Sequence, residues 1–324
     1  MTQVVGMPDN RGVTVETWGA PKGTPVFLLH GTPGSRSGPM PRPSVLYRLG
    51  IRLICYDRPG YGGSDPHPGR TVADAASDVR RIADALNLDK FSVVGRSGGG
   101  PHALACAALL KDRVRSAAVL VGLAPSDAEG LDWYAGMTDS NVEEYKDADA
   151  AVRDADAAFR ARLAERAEGV RDDPESLVRF LLPQLTGPDR RIVDDAAMQR
   201  LLTDTYAEAL RGSANGWIDD VLAFRRPWGF DLSKVTAPVL LWHGADDMFT
   251  PVGHTYWLAS HVPRPTLEVQ TGAAHFGAME ILPSVLAWIK EVPGSERLGV
   301  QRTRQPTFRA QRDDVGMVSA DQRG

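Results

Sequence analysis

Three positions in this chain have the residue types and surroundings that acyl-transfer chemistry needs: Ser97, His275 and an aspartate at 246 or 247. Ser97 lies in Gly95-Arg96-Ser97-Gly98-Gly99, directly after the apolar run 91–94 and before a small, apolar, helix-forming stretch at 101–110. A strand that turns sharply into a helix needs glycines where Cβ atoms would clash. It leaves the serine Oγ exposed near a helix N-terminus, where developing negative charge is favoured. A serine hydroxyl becomes a nucleophile only when a base takes its proton. His275, in Gly272-Ala273-Ala274-His275-Phe276, follows the last apolar run and is the expected base. An acid must then accept the Nδ1–H bond of that ring and fix its tautomer. Asp246 and Asp247 follow the run 239–242, and either completes the chain order Ser, Asp, His. The segment His30-Gly31-Thr32-Pro33-Gly34-Ser35 follows an early strand. The backbone N–H groups of Thr32 and Gly98 are therefore the expected oxyanion hole, stabilising a tetrahedral intermediate by a few kcal/mol.

Such residues, far apart in sequence, can meet only if the elements between them form one layered sheet. Residues 13–18 alternate apolar and polar, as an outer antiparallel strand does. The runs 25–29, 52–56, 91–94, 117–121, 239–242 and 266–269 are continuously apolar or nearly so, which predicts mostly strands buried on both faces. Between them, 71–86 places Val72, Ala75, Val79, Ile82 and Leu86 on one helical face, and 279–289 reads as a closing helix. Strand–helix alternation of this kind predicts an α/β class fold with a mostly parallel sheet covered on both sides. Residues 125–227 break the alternation. They contain helix-like stretches at 141–168, 174–182 and 189–211 and no strand pattern, so they read as a helical cap inserted into a core made of 1–124 and 228–292. Residues 293–324 carry Arg, Gln and Asp without apolar period and read as a disordered tail.

Bulk properties narrow the function classes. The net charge of −4 gives no electrostatic reason to expect nucleic acid or an anionic membrane as partner. No apolar run reaches the roughly 18 residues a membrane helix needs, and the N-terminus has no basic start followed by an apolar stretch. Two cysteines, Cys55 and Cys106, each in an apolar run, read as buried small side chains and suit a reducing, cytoplasmic setting. No His, Cys, Asp and Glu group has metal-ligand spacing, so no metal and no cofactor is expected. The expected partner is a small-molecule substrate; a homodimer is an open alternative to a monomer. The Gly-rich stretch 57–64 lacks the lysine of a phosphate loop and the helix of a dinucleotide fingerprint.

Residues from about 25 to 288 resemble the α/β-hydrolase superfamily. The resemblance rests on His30-Gly31-Thr32-Pro33-Gly34, Asp57-Arg58-Pro59-Gly60-Tyr61-Gly62-Gly63-Ser64, Gly95 to Gly99, Gly244-Ala245-Asp246-Asp247 with Pro251, and Gly272 to His275. It implies the α/β-hydrolase fold, with Ser97, His275 and Asp247 as the triad. Asp246 is second choice, and Asp127, after the preceding strand, is third. It makes 57–64 a structural loop near the site's mouth. His30 is expected to support the oxyanion loop or border the substrate, and Trp133 either lines a substrate pocket or packs. His102 reads equally as pocket wall or core, and His67, His254 and His261 as surface or loop residues. The implied activity is hydrolysis of a small or medium carboxylic ester through an acyl-enzyme. The alternatives are a peptidase of the proline iminopeptidase type, a carbon–carbon bond hydrolase, a haloperoxidase-like enzyme, and a non-catalytic ligand-binding relative. Proline iminopeptidases carry Gly where this chain has Thr32. Epoxide hydrolases and haloalkane dehalogenases use Asp at the elbow, so Ser97 argues against them.

Overall fold

Every apolar run forms a strand in the computed structural model, which describes residues 2–154 and 157–292. The strands are β1 (Thr2–Gly6), β2 (Gly12–Gly19), β3 (Thr24–Leu29), β4 (Ile51–Tyr56), β5 (Phe91–Arg96), β6 (Val114–Leu120), β7 (Val239–Gly244) and β8 (Thr266–Gln270). They form a sheet in the order β1-β2-β4-β3-β5-β6-β7-β8. β1 and β2 pair antiparallel, β2 and β4 likewise, and all later pairs are parallel. β1 has no counterpart in the sequence expectation. It is an edge strand with only Val5 buried, so it carries no apolar period.

Alternating side chains along each buried strand feed two cores. Phe27, Ile54, Val93, Val119 and Leu241 pack toward α2 (Asp74–Ala85) and α3 (Gly99–Leu109) on one face. Val26, Leu53, Val94, Leu120 and Trp242 pack toward α1 (Pro43–Leu49) and the C-terminal helix on the other. That C-terminal stretch, expected as one helix, is two: a short turn at Gly277–Glu280 and a helix at Leu282–Glu291. Pro283 sits in the first turn of the second, where its missing N–H costs nothing. Strand order reverses between β3 and β5, whose carboxyl ends lie side by side with Leu29 opposite Gly95. A doubly wound sheet opens its binding crevice at such a point.

Between β6 and β7 the described residues form helix over Asp139–Asp154 (here α4), Ala157–Asp172 (α5), Ser176–Leu181 (α6), Gly187–Val193 (α7), Ala196–Leu210 (α8) and Asn215–Phe224 (α9). The expected stretch 141–168 is helical at every described position. The stretch 189–211 is divided, because Asp195 caps α8 by accepting from the Met198 N–H at 2.9 Å. These helices share an apolar core of Phe159, Leu163, Leu202, Trp217 and Val221 with Tyr61, Phe249 and Phe276 from the sheet's loops. The 57–64 loop pins them down: Gly216 N–H donates to Gly60 O at 3.1 Å and Gly62 N–H to Ala209 O at 2.9 Å. The expectation for 293–324 falls outside the described residues. Among those described, no helix is long and apolar enough to cross a membrane.

Candidate active site

Ser97 stands at the end of β5 with φ of +52°, a left-handed conformation that a side-chain-bearing residue adopts only under constraint. Two bonds impose it: Ser97 N–H donates to Leu120 O at 2.8 Å, and Ser97 O accepts from Gly100 N–H at 2.8 Å. The turn is possible because its neighbours lack side chains. A Cβ on Gly95 would lie 2.2 Å from Gly99 O, and one on Gly99 would lie 2.2 Å from Leu29 O. Helix and strand therefore approach as closely as backbone allows, and Ser97 projects from the crest of the turn.

His275 follows β8 and faces the same cavity as Ser97. Its Nδ1 lies 2.8 Å from Asp247 Oδ2. Asp247 is buried, and its Oδ1 accepts the Phe249 and Thr250 N–H groups at 2.8 and 2.9 Å. Burial alone would raise this carboxyl; the neighbouring His275 and the hydrogen bonds from His243 and His275 outweigh it and hold it well below the usual range. The carboxylate therefore stays ionised, the Nδ1 proton is held toward it, and Nε2 is left as the basic nitrogen. Asp246 and Asp127 are exposed, and neither bonds to His275.

Thr32 and Gly98 line the same wall of the cavity as Ser97, and neither backbone N–H has a backbone acceptor. The Thr32 hydroxyl donates to Asp220 Oδ2 at 2.7 Å. Asp220, on α9, is the hub of a buried network that nothing in the sequence pattern signalled. It accepts from Arg58 Nη2 at 2.5 Å, Arg70 Nη1 at 2.7 Å and Tyr61 OH at 2.9 Å, and lies 3.3 Å from His102 Nε2. Burial would raise its carboxyl, but Arg58 and Arg70 hold it far below the ordinary value. Arg58 also donates to His30 O and, at 2.9 Å, to Gly31 O. The 30–35 loop, the 57–64 loop and α9 thus share one carboxylate.

His30 does not line the Ser97 cavity. Its Nε2 accepts the Arg58 N–H at 3.1 Å and its Nδ1 meets Gly31 O at 2.8 Å, so the ring braces the loop from below as a neutral imidazole. Burial and the adjacent Arg58 push it well below the ordinary histidine value. His102 is a core residue, brought down to about 4 mainly by burial. Trp133 lies away from the cavity. It is 5% exposed, gives its Nε1–H to Ala124 O at 3.0 Å, and packs under the Arg225 guanidinium at 4.2 Å. His254 corrects the surface expectation. It is buried, accepts from Ala124 N–H at 3.1 Å and bonds Trp133 O at 2.9 Å, so the two aromatic residues order each other.

The cavity encloses about 790 Å³ of empty space, counting its open mouth. Its roof comes from the inserted helices: Tyr145, Leu177, Phe180 and Trp217 give apolar surface, Glu144 and Arg166 polar surface. Glu144 is committed to Arg166 at 3.2 Å and to Trp217 Nε1 at 3.2 Å. A second acid, Asp189 on α7, is buried beside His275. Its Oδ1 accepts Phe276 N–H at 2.8 Å, its Oδ2 has no partner, and burial raises it to about 6. Among the described residues no group of three or more His, Cys, Asp or Glu could hold a metal ion.

A sheet wound in this order, with a serine turn after β5 and a histidine–aspartate pair after β8 and β7, defines a hydrolase architecture. Residues 24–280 match the family described as alpha/beta hydrolase fold, and the chain belongs to it. It is 27% identical to a non-heme chloroperoxidase of Streptomyces lividans over 86% of this chain and 94% of that one. It is 29% identical to a pimeloyl-[acyl-carrier protein] methyl ester esterase of Nitrosomonas europaea over 81% of this chain and 92% of that one. In fold it superposes on the esterase RhEst1 from Rhodococcus sp. ECU1013 with a TM-score of 0.63 at 22% identity, covering 90% and 99% of the two chains.

Proposed function

We propose that this hydrolase cleaves small or medium carboxylic esters through an acyl-enzyme on Ser97. One observation carries the reading: a serine held in a left-handed elbow faces the same cavity as a histidine whose Nδ1 is engaged by a buried, ionised aspartate. In the proposed cycle His275 Nε2 takes the Ser97 Oγ proton as Oγ bonds to the ester carbonyl carbon. The Thr32 and Gly98 N–H groups receive the oxyanion. Collapse breaks the bond to the alcohol, which leaves with the proton from His275. A water then gives its proton to His275 and attacks the acyl-serine, releasing the acid and restoring Ser97.

The ester reading is favoured over an iminopeptidase by the cavity's charges. A substrate ammonium needs a carboxylate partner in a desolvated pocket. The carboxylate that lines this cavity, Glu144, already has Arg166 and Trp217. The relation to a named methyl ester esterase points the same way. Turnover of p-nitrophenyl acetate and butyrate alongside proline p-nitroanilide tests the choice. Ester turnover with no anilide cleavage is expected; the reverse would replace the esterase with a peptidase.

A further inference from the structure

α7 begins with the spacing of a capping box and does not form one. Thr186 is its N-cap, and Asp189 stands three residues on, where threonine and acid can satisfy each other's backbone N–H groups. Neither bond is made. The Thr186 hydroxyl is buried with no hydrogen-bond partner, and the fully buried Asp189 carboxyl turns instead to the segment that carries His275. A helix start left without its side-chain cap, beside a buried acid with one oxygen unpartnered, is a costly local arrangement. The reason for it lies where the acid points.

Asp189 Oδ1 accepts Phe276 N–H at 2.8 Å, with His275 N–H as a second, weaker backbone partner. Among the described residues no backbone carbonyl accepts from Phe276 N–H. Two positions further along the same helix, Arg191 Nη2 donates to Gly272 O at 2.9 Å. α7 therefore holds the segment 272–276 at both ends, while Asp247 engages the His275 ring from the sheet side. His275 and Phe276 line the Ser97 cavity; Asp189 and Arg191 do not. The two α7 side chains thus reach the reaction through the segment they hold, without touching the substrate.

We propose that Asp189 is a positioning residue for His275: with Arg191 it clamps the histidine segment to α7 and so fixes Nε2 against the Ser97 hydroxyl. This deepens the acyl-enzyme reading and rests on it. Base and nucleophile that are already aligned react over a lower barrier, and a misplacement of about 1 Å can cost about 100-fold in rate. A helix outside the sheet then sets the rate of the chemical step and contributes nothing to substrate binding.

Kinetics with p-nitrophenyl butyrate on Asp189→Ala, Asp189→Asn, Arg191→Met and Thr186→Val test it, with active sites counted by fluorophosphonate titration so that a loss of folded protein cancels. Asp189→Ala removes the acceptor and should lower kcat and kcat/KM alike, by about 10- to 100-fold. Asp189→Asn keeps an oxygen for Phe276 N–H and should recover most of that loss. Arg191→Met frees Gly272 O alone and should show a smaller fall of the same kind. Thr186→Val should keep wild-type kinetics, because the hydroxyl it removes bonds nothing. An Asp189→Ala enzyme that turns over like wild type, even if it melts lower, would make Asp189 a purely structural residue of α7; that result overturns the inference and leaves the esterase reading standing. A fall confined to KM, or an Asn variant as slow as the Ala variant, overturns it too. If Asp189→Ala does not fold, Arg191→Met decides: a lower kcat at unchanged KM supports the clamp, and wild-type kinetics overturn it. A wild type that neither hydrolyses the ester nor takes up fluorophosphonate overturns both readings.

Discussion

Asp220 lies on α9, outside the sheet, yet should govern both stability and turnover. Replacing it with Asn removes the charge that Arg58 and Arg70 share and puts an amide donor among donors. If the amide nitrogen takes the Oδ2 position it faces Arg58, Thr32 and Tyr61; at Oδ1 it faces Arg70 and His102. Breaking a buried pair on one side costs about 3–5 kcal/mol. Arg58 retains two carbonyls, His30 O and Gly31 O, and Arg70 retains Gly216 O at 3.1 Å, which places the loss near about 3 kcal/mol. For a chain of this size that is roughly a 4 °C fall in melting temperature. Freed from Asp220, Thr32 should hold its N–H less well, and an oxyanion donor out of place costs about 100-fold in kcat. Thr32→Val separates the two effects, because it leaves the arginines paired. It should cost about 1 kcal/mol in stability while still lowering kcat. Thermal melts and ester kinetics on both variants supply the numbers. An Asp220→Asn protein that melts within about 1 °C of wild type and turns over normally would refute the claim that the α9 carboxylate sets the position of Thr32.

Asp247→Asn should lower kcat/KM by about 10⁴-fold, because an amide nitrogen facing His275 Nδ1 forces the proton onto Nε2, whereas Asp246→Asn, on an exposed side chain, should remain within a few-fold of wild type; p-nitrophenyl butyrate kinetics compare them. Asp189 binds its proton more tightly folded, at about 6, than unfolded, near 3.8, so its contribution to stability falls as pH rises between those values and stays low above them. Melting temperatures should therefore show Asp189→Asn gaining on wild type as pH rises from 4 to 7, an interval about those two values, while a constant difference across that range would contradict the reading.

The serine turn, the histidine and the aspartate pair were legible because each follows an apolar run whose strand the sheet then aligns. The choice between Asp246 and Asp247 needed burial: the two differ by one position along a loop, and only Asp247 turns inward to meet Phe249 N–H and Thr250 N–H. Trp133 and His254 were opaque because each is explained by the other, 121 residues away. Asp220 left no trace in any pattern, since it contacts Thr32 across 188 residues and its helix is buried from Gly216 to Phe224, so an acid on it looks like an interruption of the apolar face.

The central claim is that Ser97 is an activated nucleophile, and intact-protein mass spectrometry after fluorophosphonate treatment tests it most directly. Wild type should gain one adduct mapped to Ser97, and Ser97→Ala should gain none while remaining folded. A folded wild type that stays unlabelled, or an adduct that persists in Ser97→Ala, would contradict the account.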